Sequence, residues 1–212
     1  MNGRKYLYIS VSIVIFIGIF WIFGNSKSKS ADFYGVLQEK ESFAFVSDNG
    51  TETITIEKVP DIFDPNDPYM KIWDFTSLDM DEDGECEIIL SVFGVSADMG
   101  GQLILHRINN QIYGYKTDSM TLVNIKADGT GEYSDPTGVS ETGVCKIDEF
   151  TADGYTIKKI FYGTGTYQGL DTFVVDGHSA KEEEFLSEME NQNNKPDAVW
   201  HEFTTDNIEV YI

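Results

Sequence analysis

Five Asn-Gly or Asp-Gly dipeptides divide the chain beyond residue 40 into short segments. A glycine that follows Asn or Asp makes the positive φ angles of a tight hairpin turn inexpensive. The intervening segments are rich in β-branched and aromatic residues. Many of them alternate apolar and polar positions, as strands with one solvated face do. No regular helical pattern separates these segments, so the sequence predicts a mainly antiparallel β-sheet.

Helical patterns are found at the two ends of this region. Ser30 precedes residues 31–40, where apolar side chains recur at helical spacing. Near the C-terminus, Ser179 and Glu182 have the spacing of a capping box that opens a longer helix. The predicted fold class is therefore α+β. One domain, residues 31–212, combines a mainly antiparallel β-sheet with a short leading helix and a C-terminal helix.

The N-terminal segment differs from the rest of the chain. An uncharged apolar run covers residues 6–23, and as a helix it would span about 27 Å, close to the ~30 Å hydrocarbon core of a bilayer. This length favours a signal anchor, an N-terminal transmembrane helix over residues 1–24, followed by a short linker at residues 25–30. Cleavage near Ser30 remains an alternative, because small residues surround that position.

Charge predicts the orientation and the class of partner. Arg4 and Lys5 precede the apolar run, which favours a cytoplasmic N-terminus and an external domain. The chain has 15 Lys and Arg against 36 Asp and Glu, a formal net charge of −21. A nucleic-acid partner is not expected, because binding phosphates requires a basic face. We expect a single-pass protein of the cell membrane that contacts the lipid bilayer through residues 6–23, or a secreted domain if the segment is cleaved.

One group of side chains has the spacing of a metal site. Carboxylates occupy positions 1, 3, 5 and 9 of the segment DMDEDGECE, residues 79–87, and glycine occupies position 6. Such a turn supplies the oxygens that calcium prefers. Position 12 is Leu90 instead of the Glu of an EF-hand, and a β-rich segment follows, so we predict a strand–loop–strand calcium site. A solvated acidic hairpin is the alternative. The predicted metal ligands are Asp79, Asp81, Asp83, Glu87 and, through its backbone carbonyl, Glu85.

Four segments carry motifs that occur together in a known group of proteins. They are WDFTSLDMDEDGECEIIL, LILHRINNQIYGY, LVNIKADGTGEYSD and TFVVDGHSAKEEEFLSEMENQNNKPDAVWHEFT. In this order they resemble an uncharacterised group of exported proteins from Gram-positive, Clostridia-type bacteria. The loop alone is similar to the D-x-D-x-D-G-x-x-E site of FG-GAP calcium repeats. The chain departs from the group at Met80, Glu82 and Cys86, where Leu, Gly and Pro are common. The resemblance implies a bacterial surface location and no particular reaction.

Catalytic patterns are weak in the sequence. His106, His178 and His201 do not have zincin spacing, and no serine lies in a G-x-S-x-G elbow. We therefore predict a non-enzymatic module that binds an unknown surface ligand or protein, or acts as a scaffold, with calcium in a structural role. A cell-wall or glycan hydrolase using unassigned carboxylates is the alternative. Cys86 and Cys145 are compatible with a disulfide or with two free thiols.

Overall fold

A computed structural model of the chain describes residues 32–95, 100–117, 120–135, 141–166 and 169–212. Of these residues, 50% lie in strands and 19% in helices. The α+β class expected from the sequence is therefore wrong, because the described part is mainly β and contains two sheets. Among the described residues, no helix has the length and apolarity needed to cross a membrane. The transmembrane helix expected over residues 1–24, with its apolar run at residues 6–23, lies outside the described residues.

The described segments contain thirteen strands, four α-helices and one short 3-10 helix. The strands are β1 Phe43–Ser47, β2 Gly50–Ile54, β3 Lys71–Leu78, β4 Glu87–Phe93, β5 Gly101–Ile108, β6 Gln111–Lys116, β7 Thr121–Val123, β8 Gly131–Ser134, β9 Glu141–Thr151, β10 Gly154–Thr166, β11 Gly169–Val175, β12 His178–Ala180 and β13 His201–Glu202. The helices are α1 Phe33–Leu37, α2 Val59–Phe63, α3 Glu182–Asn193 and α4 Thr205–Tyr211, and the 3-10 helix is Ile56–Lys58.

Two sheets replace the single sheet that the turn pattern suggested. The first has the strand order β13-β3-β4-β5-β6-β1-β2, and the second has the order β12-β11-β10-β9-β8-β7. Neighbouring strands are antiparallel, except that β1 runs parallel to β6, with Ala44 opposite Tyr113. The second sheet is thus formed by a continuous part of the chain inserted between β6 and β13 of the first.

The two sheets pack face to face around a shared core. This core contains Ile89 and Tyr115 from the first sheet and Ile147 and Phe150 from the second. Helices α1, α2 and α4 contribute side chains to a cluster on the other face of the first sheet. Helix α3 does the same for the second sheet, mainly through Phe185. Central strands are therefore covered on both faces, which explains why their sequences are more apolar than a simple alternation.

Both predicted helices exist, but their first turns differ from the expectation. Helix α1 begins at Phe33, and its N-cap is Asp32, whose carboxylate accepts a hydrogen bond from the backbone N–H of Tyr34 at 3.2 Å. Helix α3 begins at Glu182 after Lys181. The capping box predicted at Ser179 is wrong, because that residue lies in β12 and pairs with β11.

Candidate metal centre

The acidic segment joins two neighbouring antiparallel strands. Asp79 is the first residue after β3, and Glu87 is the first residue of β4. Between them, the side chain of Met80 is only 1% exposed and packs in the core between the two sheets. This buried side chain anchors one end of an otherwise exposed loop. The strand–loop–strand arrangement is the one that the sequence predicts.

Backbone N–H groups of the loop orient three of its aspartates. The N–H of Gly84 donates to Asp79 Oδ2 at 3.1 Å, and the N–H of Glu85 donates to Asp83 Oδ1 at 2.7 Å. A longer bond of 3.4 Å joins the N–H of Asp83 to Asp81 Oδ1. The sharp bend is possible because Gly84 adopts a φ of 91°, which a residue without a Cβ does at little cost.

Glu87 is the most deeply buried carboxylate of the loop, with 1% of its surface exposed. Its Oε2 accepts the backbone N–H of Met80 at 2.7 Å, and its Oε1 lies 2.8 Å from Nδ1 of His106. With Glu87 ionised, Nδ1 must carry the proton of this hydrogen bond, since a carboxylate only accepts. The imidazole ring also stacks on Phe150, with 4.4 Å between the ring centroids.

His106 is a member of the site that the sequence did not reveal. It lies in β5, and the last described pair between β4 and β5 is Ile88 with Leu105. The next position along this register brings His106 beside Glu87. A hairpin prediction combined with strand register was the only signal that could have linked these residues, because they are 19 positions apart.

Two overlapping sets of donor atoms meet in the loop. Carboxylate oxygens of Asp79, Asp81 and Glu87 lie within 4.8 Å of one another. The same limit applies to a second set, which contains Asp81, Asp83 and a ring nitrogen of His106. Four of the predicted ligand residues are therefore brought together, and they can hold a metal ion.

Glu85 is placed differently from the other predicted ligands. Its side chain is exposed and belongs to neither set of donor atoms. It lines a separate surface cavity of about 380 Å³ together with Cys86 and Arg107. The predicted role of its backbone carbonyl remains a prediction.

The electrostatics of the loop favour a bound cation. Burial raises the pKa of Glu87, and burial together with the charge of Asp83 raises the pKa of Asp81. Burial alone would lower the pKa of His106, but the hydrogen bond and charge of Glu87 outweigh it and raise that pKa. In addition, Oδ1 of Asp79 is buried and has no hydrogen-bond partner among the described residues. A cation near this oxygen would satisfy it and offset the clustered negative charge.

The loop is also tied to the second sheet. Glu82 forms an ion pair of 2.8 Å with Lys146 of β9, and this contact lowers the pKa of Glu82. On the other side, Gly129 packs closely against the loop backbone, since a Cβ there would lie 3.2 Å from the carbonyl oxygen of Asp79. The conformation of the loop therefore affects how the two sheets contact each other.

The cysteines take no part in a disulfide. Cys86 is exposed at the end of the loop, and Cys145 is buried in the core between the sheets. Of the two states that the sequence left open, the structure has two free thiols.

Comparisons with known proteins assign neither a family nor a function to the chain. No protein-family model, curated protein or solved structure matches the chain. The resemblance to exported proteins of Gram-positive bacteria remains a prediction.

Proposed function

We propose that residues 31–212 are an extracytoplasmic binding or scaffolding module whose loop at residues 79–87 is stabilised by one calcium ion. The observation that carries the proposal is the convergence of oxygens from Asp79, Asp81 and Glu87 within 4.8 Å. Calcium–oxygen distances of about 2.3–2.6 Å place opposite ligands up to about 5 Å apart. The spacing of these oxygens, which all come from carboxylates, suits calcium.

A structural role follows from where the ligands lie. Asp79 directly follows β3, and Glu87 is the first residue of β4. An ion bound by both would therefore hold the two strand ends together. Met80, between these ligands, is buried against both sheets. Calcium at this position would stabilise the contact between the sheets as well as the loop.

The hydrolase alternative receives less support. A general acid must touch its substrate, and a raised pKa is the usual mark of such a group. Glu87 has a raised pKa, but it is 1% exposed and its two oxygens already accept hydrogen bonds. Asp81, the other loop carboxylate with a raised pKa, belongs to both sets of candidate metal donors. Both carboxylates are therefore better suited to binding an ion than to protonating a glycosidic oxygen.

An exposed aromatic side chain supports a binding role. Trp73 is 46% exposed, yet its indole Nε1 donates a hydrogen bond of 2.9 Å to the carbonyl of Phe93. The ammonium group of Lys71 lies 3.6 Å from the centre of the same ring. A large apolar ring held rigidly at the surface is a feature that protein and sugar ligands commonly contact.

An external location is supported by the sequence, and it agrees with a weak calcium site. The apolar run at residues 6–23, preceded by Arg4 and Lys5, is typical of a segment that directs export. Calcium sites of extracellular modules have a Kd of about 10⁻⁴–10⁻³ M. A weak site of this kind is filled only where calcium is abundant, which is outside the cytoplasm.

Thermal unfolding of the full chain in EDTA and in 1 mM calcium tests the proposal. We expect calcium to raise the Tm of the parent protein by a few degrees and to leave the Tm of Asp81→Ala unchanged. The variant Asp148→Ala is a matched control, because it removes an exposed acid of β9 and should keep the full calcium shift. The absence of a shift in the parent would make the loop a plain acidic hairpin.

A further inference from the structure

We propose that the same loop also binds a divalent transition ion, with zinc as the representative, through Asp81, Asp83 and His106. This second site goes beyond the calcium proposal and does not require calcium to bind. It is carried by the position and hydrogen bonding of one buried histidine.

The burial and hydrogen bonding of His106 suit a metal ligand. The residue is 6% exposed, and its ring is fixed by stacking on Phe150. Its Nδ1 is hydrogen-bonded to Glu87, whereas Nε2 forms no hydrogen bond with the described residues. Histidines that bind metals almost always donate their other ring N–H to a carboxylate or carbonyl. When the imidazole is neutral, Glu87 thus fixes the tautomer that leaves the Nε2 lone pair available for an ion, and metal binding must displace any proton on Nε2.

The donor set around His106 differs from the calcium set. A ring nitrogen of His106 and carboxylate oxygens of Asp81 and Asp83 lie within 4.8 Å of one another. Calcium takes oxygen ligands almost exclusively, whereas imidazole suits zinc and other first-row transition ions. Asp83 is exposed, and its carboxylate, which accepts the N–H of Glu85 at Oδ1, can also bind an ion that the fixed imidazole holds. Three protein ligands would leave a fourth position for water.

Asp81 belongs to both sets, so the two ions must affect each other. If Asp81 binds only one ion at a time, zinc at His106 weakens calcium at Asp79 and Glu87, and calcium weakens zinc by the same factor. The ion bound by the loop would then depend on the concentrations of both calcium and zinc.

Cobalt(II) is a suitable probe, because its visible absorption reports nitrogen and oxygen ligands and zinc displaces it. The full chain is titrated with cobalt in a Cys86→Ser background, since the exposed thiol of Cys86 is itself a metal ligand. We expect visible cobalt bands that zinc removes. His106→Phe keeps a ring to stack on Phe150 and should weaken cobalt binding at least tenfold. His178→Gln, which changes an exposed histidine, should bind cobalt like the parent.

The outcomes separate the two proposals. Equal cobalt binding by His106→Phe and the parent, or loss of binding in His178→Gln, overturns the zinc site. Absence of cobalt bands in the parent overturns it as well, even if calcium still raises the Tm. Cobalt binding without any calcium shift supports the zinc site and contradicts the calcium proposal. A calcium shift retained in His106→Phe shows that the variant is folded. The variant His106→Gln, which lacks the imidazole, provides a second test if the first does not fold.

Discussion

Replacing Asp79 by Asn should affect the metal-free and calcium-bound proteins in opposite directions. In the metal-free protein, Oδ1 of Asp79 is buried and has no hydrogen-bond partner within the described part of the chain, and a carboxylate oxygen of Asp79 lies within 4.8 Å of oxygens of Asp81 and Glu87. Asp79→Asn removes one negative charge from this cluster and keeps a carbonyl oxygen that can accept the N–H of Gly84. The variant should therefore be more stable than the parent in EDTA and should lose the benefit of calcium.

The expected magnitudes follow from the distances. Two unit charges separated by 4.8 Å, the upper limit of the oxygen separations here, repel by about 0.9 kcal/mol in water and by about 3.5 kcal/mol at an effective dielectric constant of about 20. The loop is partly solvated, so we expect a gain of about 1 kcal/mol, or about 2–4 °C in Tm for a domain of this size. For the parent, 1 mM calcium and a Kd of about 0.1 mM give about 1.4 kcal/mol.

Thermal unfolding monitored by circular dichroism, with and without calcium, measures both effects. The order of the two Tm values should reverse when calcium is added. Asp79→Asn should have the higher Tm in EDTA, and the parent should have the higher Tm in excess calcium. Asp148→Asn, on the exposed surface of β9, is the control for loss of one negative charge far from the loop in sequence. A variant that is destabilised in EDTA, or that keeps the calcium shift, would refute the reasoning.

Further predictions concern pH, thiol reactivity and the loop anchor. Burial raises the pKa of Asp81 and Glu87, so the metal-free folded state binds protons more tightly than the unfolded chain. These two groups therefore contribute stability that increases as the pH falls from 7 towards their pKa values, and protons compete with calcium for them. The calcium-dependent Tm shift should shrink over that range, and a shift that grows on acidification would contradict the assignment. Iodoacetamide at pH 8 should modify Cys86 in the native protein, because this thiol is exposed. Cys145 should react only after unfolding, because it is buried and its pKa is raised to about 11. Mass spectrometry of the peptides identifies which cysteine has reacted. Met80→Ala should lower the free energy of unfolding, measured in urea, by about 2–5 kcal/mol with or without calcium. A decrease below about 1 kcal/mol would show that Met80 does not anchor the loop.

The grouping of the acidic candidate ligands could be predicted from the sequence because these residues are local. Asp79, Asp81 and Asp83 lie on one turn and Glu87 begins the next strand, and alternation and the Asp-Gly dipeptide already mark this turn and its flanking strands. His106 could not be found in this way, since it reaches the loop through the pairing of β4 with β5. Strand register depends on which side chains pack in the core, and that information is distributed over the whole domain.

The prediction of the fold class was wrong for a related reason. Alternation identifies a strand, but it does not say to which sheet the strand belongs. In β4, the successive residues Ile88, Ile89 and Leu90 are all buried, because one face contacts the second sheet and the other contacts helices. Helical signals at the ends were correct as local features, yet Ser179, which looked like a helix cap, is used as a strand residue. Tertiary packing decided between these two local possibilities.

Strand β13 has a consequence for the solubility of the protein. It contains only His201 and Glu202, which pair with Phe75 and Asp74 of β3, and the N–H of Phe203 adds a hydrogen bond of 2.8 Å to the carbonyl of Trp73. Without residues 201–203, this part of the backbone of β3 would be an open sheet edge. An open edge is a template on which a second chain can add a strand. Residues 201–203 therefore occupy the middle of the β3 edge and shorten the stretch of backbone with which a second chain could pair.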